Sequence, residues 1–330
     1  MQWTPGKKRG LDLISDDQRI ILATAMDQRG SLGKMIHSFN ADLSYEEGLS
    51  AFKEGVASVL GNRSASLLLD PEYGWNAAEK LNDDVGLIMA YEKTGYDTTQ
   101  KGRLPRLVDQ YAVQDFVKKG VSALKLLIYY DTEEEAVYNK TKQAFIKRVG
   151  DECKQNDLLF ILEPVSYSAQ GLPTKEAAFT RRKPAIVEHF MEEFSKPKYG
   201  VDLLKVEVPV AIYHIEGYDK YDNYEPLFSA EEAADYYRIC SEKSRIPFIY
   251  LSGGVTNEQF VDTMYFAKRA GSRFNGVLCG RAIWKDGVER FATEGKDAFY
   301  NWLETTGTRH LEEVKAAVKE TATPWDKWIE

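Results

Sequence analysis

The chain has 330 residues, of which 43% are hydrophobic and 28% are charged, an ordinary globular composition. Its 51 acidic residues outnumber 43 basic ones, and the net charge of −8 argues against a general nucleic-acid or membrane-surface binder. No stretch approaches the ~18 uninterrupted apolar residues of a membrane span, and the first residues lack the apolar region of an export signal. This charge balance still allows a local basic pocket for an anionic substrate.

Cysteine and histidine usage bears on the compartment and on metal binding. The three cysteines are widely spaced and include no CxxC pair, so neither a disulfide framework nor a zinc site is predicted: Cys153, Cys240 and Cys279. The four histidines are also dispersed, without metal-ligand spacing. We expect a protein of the reducing cytoplasm that needs no metal.

Short apolar runs rich in strand-forming residues alternate with longer amphipathic segments. The runs number eight: 19–27, 64–72, 85–93, 123–131, 158–166, 201–209, 246–254 and 274–282. Helical patterns lie between them: 45–61, a short one at 75–83, 107–120, 133–157, 183–197, 229–244 and 256–271. This alternation predicts a parallel sheet.

Eight strands are the number that closes a (β/α)8 TIM barrel. The rival arrangement is a doubly wound open sheet, which would leave edge strands, whereas all eight runs look similarly buried. We find no internal repeat and no low-complexity linker. The sequence therefore predicts one α/β domain over residues 1–330, with the segment from Val288 to Glu330 forming extra helices outside the barrel.

Charged residues interrupt these runs towards their C-terminal ends, where barrel enzymes place their active groups. Lys125 and Lys205 lie on the fourth and sixth runs, and Glu163 lies on the fifth, between them. Two nearby ammonium groups disfavour each other's charge, so one lysine could act as a neutral amine and form a Schiff base with a carbonyl. Glu163 would then transfer protons.

The simpler interpretation is a lysine–glutamate network that only satisfies the barrel core. A single lysine in one strand would favour that interpretation, whereas two lysines on either side of a carboxyl favour catalysis. The roles of Asp27, Glu92 and Glu207 stay open, because each could either orient a lysine or take part in the chemistry.

The last two runs end in glycine-containing loops, LSGGV and VLCGRA. Many barrels bind phosphate through the loops after these two strands. Glycines allow close backbone approach, a serine hydroxyl donates a hydrogen bond, and arginine offers a planar fork to a phosphate dianion. The predicted phosphate-binding residues are Ser252, Gly253, Gly254, Gly280 and Arg281.

Several segments together resemble the tagatose 1,6-diphosphate aldolase family of bacterial lactose and galactose breakdown. The match runs nearly end to end, and its motifs are specific in length and order. They are DQRGSL (27–32), LLLDPEYG (67–74), YEKTGYD (91–97), KGRLP (101–105), KVEVPV (205–210), IYLSGGV (249–255), FNGVLCGRA (274–282) and TATPW (321–325).

The resemblance implies a class I, metal-independent aldolase that cleaves D-tagatose 1,6-bisphosphate to dihydroxyacetone phosphate and glyceraldehyde 3-phosphate, with relaxed preference among epimers. It implies that Lys205 forms the Schiff base, that Glu163 is the acid/base, and that Lys125 and Asp27 line the same pocket. It assigns the C1 phosphate to Ser252, Gly253, Gly280 and Arg281. Gln28 and Arg29, after the first run, are then candidates for the other phosphate.

Three other functions stay open. Residues 168–182 and 216–228 follow the fifth and sixth runs beside the site, so an aldolase of the same group acting on another ketose phosphate, such as a sulfonated one, is the first alternative. A flavin-dependent barrel oxidoreductase and a sugar-phosphate-sensing regulatory protein are the others. We expect no cofactor, and homo-oligomerisation is left open because no helix face is conspicuously apolar.

Overall fold

The computed structural model describes residues 3–97 and 99–328. Its centre is a closed barrel of eight parallel strands in sequential order. The strands are β1 Ile21–Ala25, β2 Ser66–Leu69, β3 Gly86–Ala90, β4 Ala123–Tyr130, β5 Leu159–Ser166, β6 Leu203–Val206, β7 Phe248–Tyr250 and β8 Gly276–Cys279. Because β1 also pairs with β8, the sheet has no edge strand, and the predicted (β/α)8 barrel is confirmed.

Each strand lies inside the apolar run that predicted it, and the helices fill the intervals between them. Their bounds are α1 Pro5–Leu13, α2 Gly30–Phe39, α3 Tyr45–Val59, α4 Trp75–Ala78, α5 Val113–Lys118, α6 Ala136–Gln155, α7 Ala177–Phe194, α8 Ala230–Lys243, α9 Asn257–Arg269, α10 Arg281–Trp284, α11 Gly287–Glu294, α12 Lys296–Trp302 and α13 Thr308–Thr321. The last three form the predicted C-terminal helices.

The short pattern at 75–83 yields only the four-residue helix α4, and two of the longer helical predictions also differ from the structure. The pattern over 107–120 yields only the short helix α5, because Leu107 forms an isolated antiparallel bridge with Glu92 and keeps the preceding loop extended. Helix α7 begins at Ala177, six residues before the predicted start at 183, and continues through Pro184. Both differences lie in connections near the C-terminal ends of the strands.

Helix α1 was not predicted, and it closes the N-terminal end of the barrel. Its Leu11, together with Ile14 beyond its last turn, is fully buried in the cluster that fills the lower barrel interior, and Trp325 from the C-terminal segment joins that cluster. A Cβ on Gly10 would lie 2.6 Å from the carbonyl oxygen of Ser122, so glycine is needed for this close approach. With this end filled, the barrel is accessible from its C-terminal end.

A buried ion pair fixes the loop that follows β1. Lys53 of α3 and Asp70, the residue after β2, are both fully buried, and their Nζ and Oδ2 atoms are 2.5 Å apart. Lys53 Nζ also donates to the carbonyl oxygens of Met26 and Gln28, at 2.7 and 2.9 Å. All three acceptors of this ammonium are therefore supplied by the ends of β1 and β2, and Lys53 sets the position of Asp27.

Replacing Lys53 by methionine tests this anchor. Lys53→Met leaves the Asp70 carboxylate buried without a counter-ion, so we expect the free energy of unfolding to fall by about 3–5 kcal/mol, measured by urea denaturation. Adding Asp70→Asn to Lys53→Met should restore part of the lost free energy of unfolding. Lys34→Met is the control, since Lys34 is exposed on α2 and should change stability by less than about 0.5 kcal/mol. Wild-type stability in Lys53→Met would contradict the anchor.

Candidate active site

Strand alternation directs the charged residues of β4, β5 and β6 into the barrel. In each strand, residues of one parity pack outward against the helices, as Leu124 and Leu126 do in β4. Residues of the other parity, such as Ala123, Ile161 and Leu203, belong to the interior cluster. Lys125, Glu163 and Lys205 share this second parity, so their side chains enter the barrel above the apolar filling.

Lys125 lies at the centre of three carboxylates. Its fully buried Nζ is 2.7 Å from Asp27 Oδ2, 2.8 Å from Glu92 Oε1 and 2.8 Å from Glu163 Oε2. Burial alone would lower the pKa of this ammonium, but the three carboxylates outweigh burial and raise the pKa well above its ordinary value of 10.5. Lys125 is therefore positively charged throughout the neutral range.

Glu163 connects Lys125 to the second lysine. Its other oxygen, Oε1, lies 2.9 Å from Nζ of Lys205, which is 3% exposed. The structure thus brings both predicted lysines onto the two oxygens of one carboxyl group. Lys205 and Glu163 therefore form a buried ion pair within the barrel.

Asp27 completes the cluster from the loop after β1. Burial alone would raise its pKa, but Lys125 and Lys205 together hold the pKa of this carboxyl well below its usual range. Its Oδ2 is paired with Lys125, whereas the buried Oδ1 receives no hydrogen bond from any described residue. Asp27 is therefore an ionised carboxylate with a free acceptor oxygen.

Glu92 and Glu207, whose roles the sequence left open, both act on neighbouring groups. Glu92 Oε1 accepts a hydrogen bond from Lys125, and its Oε2 accepts one from the backbone N–H of Leu127 at 2.9 Å. Glu207 accepts from the backbone N–H of Ser166 at 2.7 Å and lies 3.4 Å from Lys183. Glu92 thus orients Lys125, and Glu207 ties the end of β5 to α7.

Gln28 and Arg29, the candidates for the second phosphate, lie beside Asp27. Arg29 is 5% exposed, and its Nη2 donates to the carbonyl oxygen of Glu92 at 2.8 Å. Its Nη1 is 3.3 Å from Glu72 Oε1, and Nη2 is 3.8 Å from Glu92 Oε1. The Arg29 guanidinium is therefore already paired with two carboxylates, whereas Gln28 is half-buried with an unpartnered Oε1.

The loops after β7 and β8 meet as the sequence predicted. Gly253 and Gly254 have φ angles of +63° and +90°, a backbone that other residues adopt only with strain. A Cβ on Gly254 would lie 3.1 Å from Cζ of Arg281, so the guanidinium rests directly against this glycine. Neither glycine N–H donates to another described residue, and Arg281 forms no ion pair among them. These donors are free for an anion.

Gly280 and Ser252 complete this group of residues. Gly280 separates β8 from α10, and a Cβ there would lie 2.3 Å from the carbonyl oxygen of Ala25, so the chain passes close to β1. Ser252, which is 8% exposed, starts the turn of Gly253 and Gly254. The five predicted phosphate-binding residues therefore lie at one side of the barrel mouth.

A wide depression of about 820 Å³ lies outside the barrel, between α3 and the loop after β2. Its lining includes Glu46, Glu47, Glu54 and Glu72, and none of the predicted site residues. Such a concentration of carboxylates repels phosphate groups. The mouth of the barrel is the better site for an anionic substrate.

No helix of the described residues has the length and apolar character that crossing a bilayer requires. Among the same residues, no group of three or more His, Cys, Asp or Glu side chains is placed to hold a metal ion.

Comparison with known proteins identifies relatives over nearly the full chain. The chain is 44% identical over 322 residues to tagatose 1,6-diphosphate aldolase 2 of Enterococcus faecalis, covering 98% of this chain and 96% of the relative. It is 41% identical over 325 residues to tagatose 1,6-diphosphate aldolase of Listeria innocua, covering 98% and 95%. The Staphylococcus aureus protein of that name is 39% identical over 319 residues, covering 97% of each.

A solved structure shares the fold at low sequence identity. Fructose-bisphosphate aldolase from Plasmodium falciparum superposes with a TM-score of 0.72 and 13% identity over 98% of each chain. The model of the DeoC/LacD family of aldolases matches residues 21–286. The resemblance noted in the sequence is thus confirmed, and this chain belongs to the DeoC/LacD family of aldolases.

Proposed function

We propose that this protein is a class I aldolase that cleaves D-tagatose 1,6-bisphosphate to dihydroxyacetone phosphate and glyceraldehyde 3-phosphate. The observation that supports the proposal most strongly is the contact of Lys205 with Glu163, 2.9 Å apart in a site where Lys125 supplies a fixed positive charge. The names of the relatives from Enterococcus, Listeria and Staphylococcus supply the substrate. Epimeric ketohexose bisphosphates are further expected substrates.

The proposed reaction begins at Lys205. Its neutral amine, after giving a proton to Glu163, attacks the C2 carbonyl carbon, and the carbonyl oxygen takes up a proton to give a carbinolamine. Glu163 then protonates the hydroxyl that leaves as water, and the iminium forms. Because Glu163 contacts the amine directly, one carboxyl can serve both proton transfers.

Bond cleavage follows from the iminium. A base removes the C4 hydroxyl proton, the C3–C4 bond breaks, and its electron pair moves into the iminium to give an enamine and free glyceraldehyde 3-phosphate. Asp27, ionised and with Oδ1 free, is one candidate base, and Glu163 is the other. Protonation at C3 and hydrolysis of the iminium then release dihydroxyacetone phosphate from Lys205.

Ser252, Gly253, Gly254, Gly280 and Arg281 are proposed to bind the C1 phosphate. This role is supported by the free N–H groups of the two adjacent glycines and by the Arg281 guanidinium resting against Gly254. A charge-assisted bidentate contact of this kind fixes both position and orientation. Binding one phosphate here would hold C2 near Lys205.

Borohydride trapping tests the covalent step. Reduction in the presence of dihydroxyacetone phosphate should convert the iminium to a stable secondary amine on the peptide containing Lys205, detected by peptide mass mapping. Lys205→Ala should give no adduct, whereas Lys183→Ala, outside the Lys125 cluster, should give the wild-type adduct. An adduct on any other lysine, or none, would count against the mechanism.

Lys125→Met tests the charge at the centre of the site. Lys125 and Lys205 hold the pKa of Asp27 down, so without Lys125 burial raises that pKa and Asp27 becomes protonated at higher pH. We expect kcat/KM to fall by at least about 10²-fold, with its acidic limb moved to higher pH. Lys220→Met removes an ammonium that also pairs with two carboxylates but is half exposed, and it should leave the profile unchanged. An unmoved acidic limb in Lys125→Met would reject this role.

Chelation tests the electron sink. Because the iminium on Lys205 accepts the electron pair of the C3–C4 bond, we expect cleavage to proceed at the same rate after extended dialysis against EDTA. Restoration of a lost activity by added Zn²⁺ would contradict a Schiff-base mechanism.

A further inference from the structure

Arg103, in the loop between β3 and α5, is held in a cage of three tyrosine rings. Its Cζ atom lies 4.2 Å from the ring centroid of Tyr167, 4.6 Å from that of Tyr96 and 5.4 Å from that of Tyr129. Stacking against aromatic faces attracts a guanidinium and leaves its N–H donors on the free edge. The rings therefore hold the group in place without using its hydrogen bonds.

The cage itself is built from ordered parts. The Tyr167 hydroxyl donates to Glu134 and accepts from Nζ of the buried Lys142 at 3.1 Å, which fixes that ring. Arg103 has a φ of +44°, in the left-handed region that a non-glycine residue adopts at a cost. This strained backbone accompanies the packing of the guanidinium against the tyrosine rings.

Arg103 has no anionic partner within residues 3–97 and 99–328, where it forms neither an ion pair nor a hydrogen bond. It is half-buried, so part of its hydration is lost. Arg29, by contrast, is paired with Glu72 and Glu92. Arg103 therefore has donors left for an anionic ligand and no carboxylate beside it, whereas Arg29 lies against two carboxylates although its Nε and Nη1 have no hydrogen-bond partner among the described residues.

The cage lies above the proposed Schiff-base site. The β4–β5 register pairs Leu127 with Glu163 and Tyr129 with Val165, so Tyr129 lies one pleat, about 7 Å, beyond the level of Glu163 towards the barrel mouth. Tyr129 also has the inward parity of Lys125. In a ring of eight, β4 is opposite β8, whose following loop contains Arg281. Lys205 of β6 lies between the two arginines.

We propose that Arg103 binds the phosphate at the C6 end of the ketose bisphosphate, across the mouth from the C1 phosphate site. This assignment rests on the proposed function. It gives the substrate two cationic end points with the reacting carbonyl between them, which positions C2 at Lys205 for attack. It also makes Arg103 a determinant of specificity for bisphosphates over ketose 1-phosphates.

The test compares Arg103→Gln with wild type on D-tagatose 1,6-bisphosphate and on D-tagatose 1-phosphate, which lacks the C6 phosphate. We expect kcat/KM for the bisphosphate to fall by roughly 10²-fold, and kcat/KM for the 1-phosphate to stay within about threefold of wild type. Borohydride trapping with dihydroxyacetone phosphate should still label Lys205, which shows that the variant folds.

Two control variants and a chemical-rescue experiment accompany the comparison of Arg103→Gln with wild type. Arg106→Gln, an exposed arginine of the same loop, should leave bisphosphate cleavage unchanged, and Arg281→Gln should impair both substrates because it removes the C1 phosphate contact. Arg103→Ala leaves the aromatic cage empty, so added guanidinium chloride at non-denaturing concentration should restore part of its bisphosphate activity. Recovery on the bisphosphate alone, with cleavage of the 1-phosphate unchanged, would distinguish phosphate binding from a merely structural role for Arg103.

The Arg103 assignment alone would be overturned if Arg103→Gln cleaved the bisphosphate as efficiently as wild type does. It would also be overturned if the variant lost kcat/KM equally on both substrates. Failure of the wild type to cleave either substrate would instead overturn the proposed function, and the Arg103 assignment with it. The two failures are distinguished by the wild-type arm.

Discussion

The buried ammonium of Lys125 is the interaction on which the site depends. Asp27, Glu92 and Glu163 come from three different strands, and each would be costly to bury as an ion without a cation nearby. One lysine on β4 satisfies all three and so joins the ends of β1, β3 and β5 at a single point. Lys205 and Arg29 add two further basic groups, and Glu72 adds a fourth carboxylate beside Arg29.

In the proposed mechanism the two lysines have different roles. Lys125 has three carboxylate partners, and the raised pKa that they cause makes it a poor nucleophile. Lys205 has one carboxylate partner, Glu163. The strand pattern alone could not assign these roles, because both lysines lie in similar apolar strands, and only the resemblance to the aldolase family implied them. The number of carboxylates around each nitrogen makes the distinction.

The cations near the barrel mouth fall into two groups, those paired with carboxylates and those held by packing alone. Lys53, Lys125 and Arg29 are buried against carboxylates and hold the loops after β1, β2 and β3 in position. Arg281 and Arg103 lie higher and are held by packing, one against Gly254 and the other between tyrosine rings. A chain with net charge −8 thus keeps unpaired positive charge where an anionic substrate would enter.

The sequence predicted the barrel well because parallel strands buried on both faces read as continuous apolar runs, and eight such runs leave little choice of topology. It also identified Lys125, Glu163, Lys205 and the glycine loops, since a charge inside an apolar run is conspicuous. It missed helices α1 and α2. Helix α1 is buried because it closes the end of the barrel, and it contains few apolar residues.

Lys53 and Arg103 could not be found in the same way. Lys53 lies on an amphipathic helix, where a lysine is usually solvated. Arg103 lies in a polar loop, where an arginine is common and does not indicate a function. The sequence by itself determined the closed barrel and the strand ends at which charge collects, because apolar periodicity is a local property. Only the tertiary structure decided which charges are paired and which stay free, because pairing depends on distances between residues far apart in the chain.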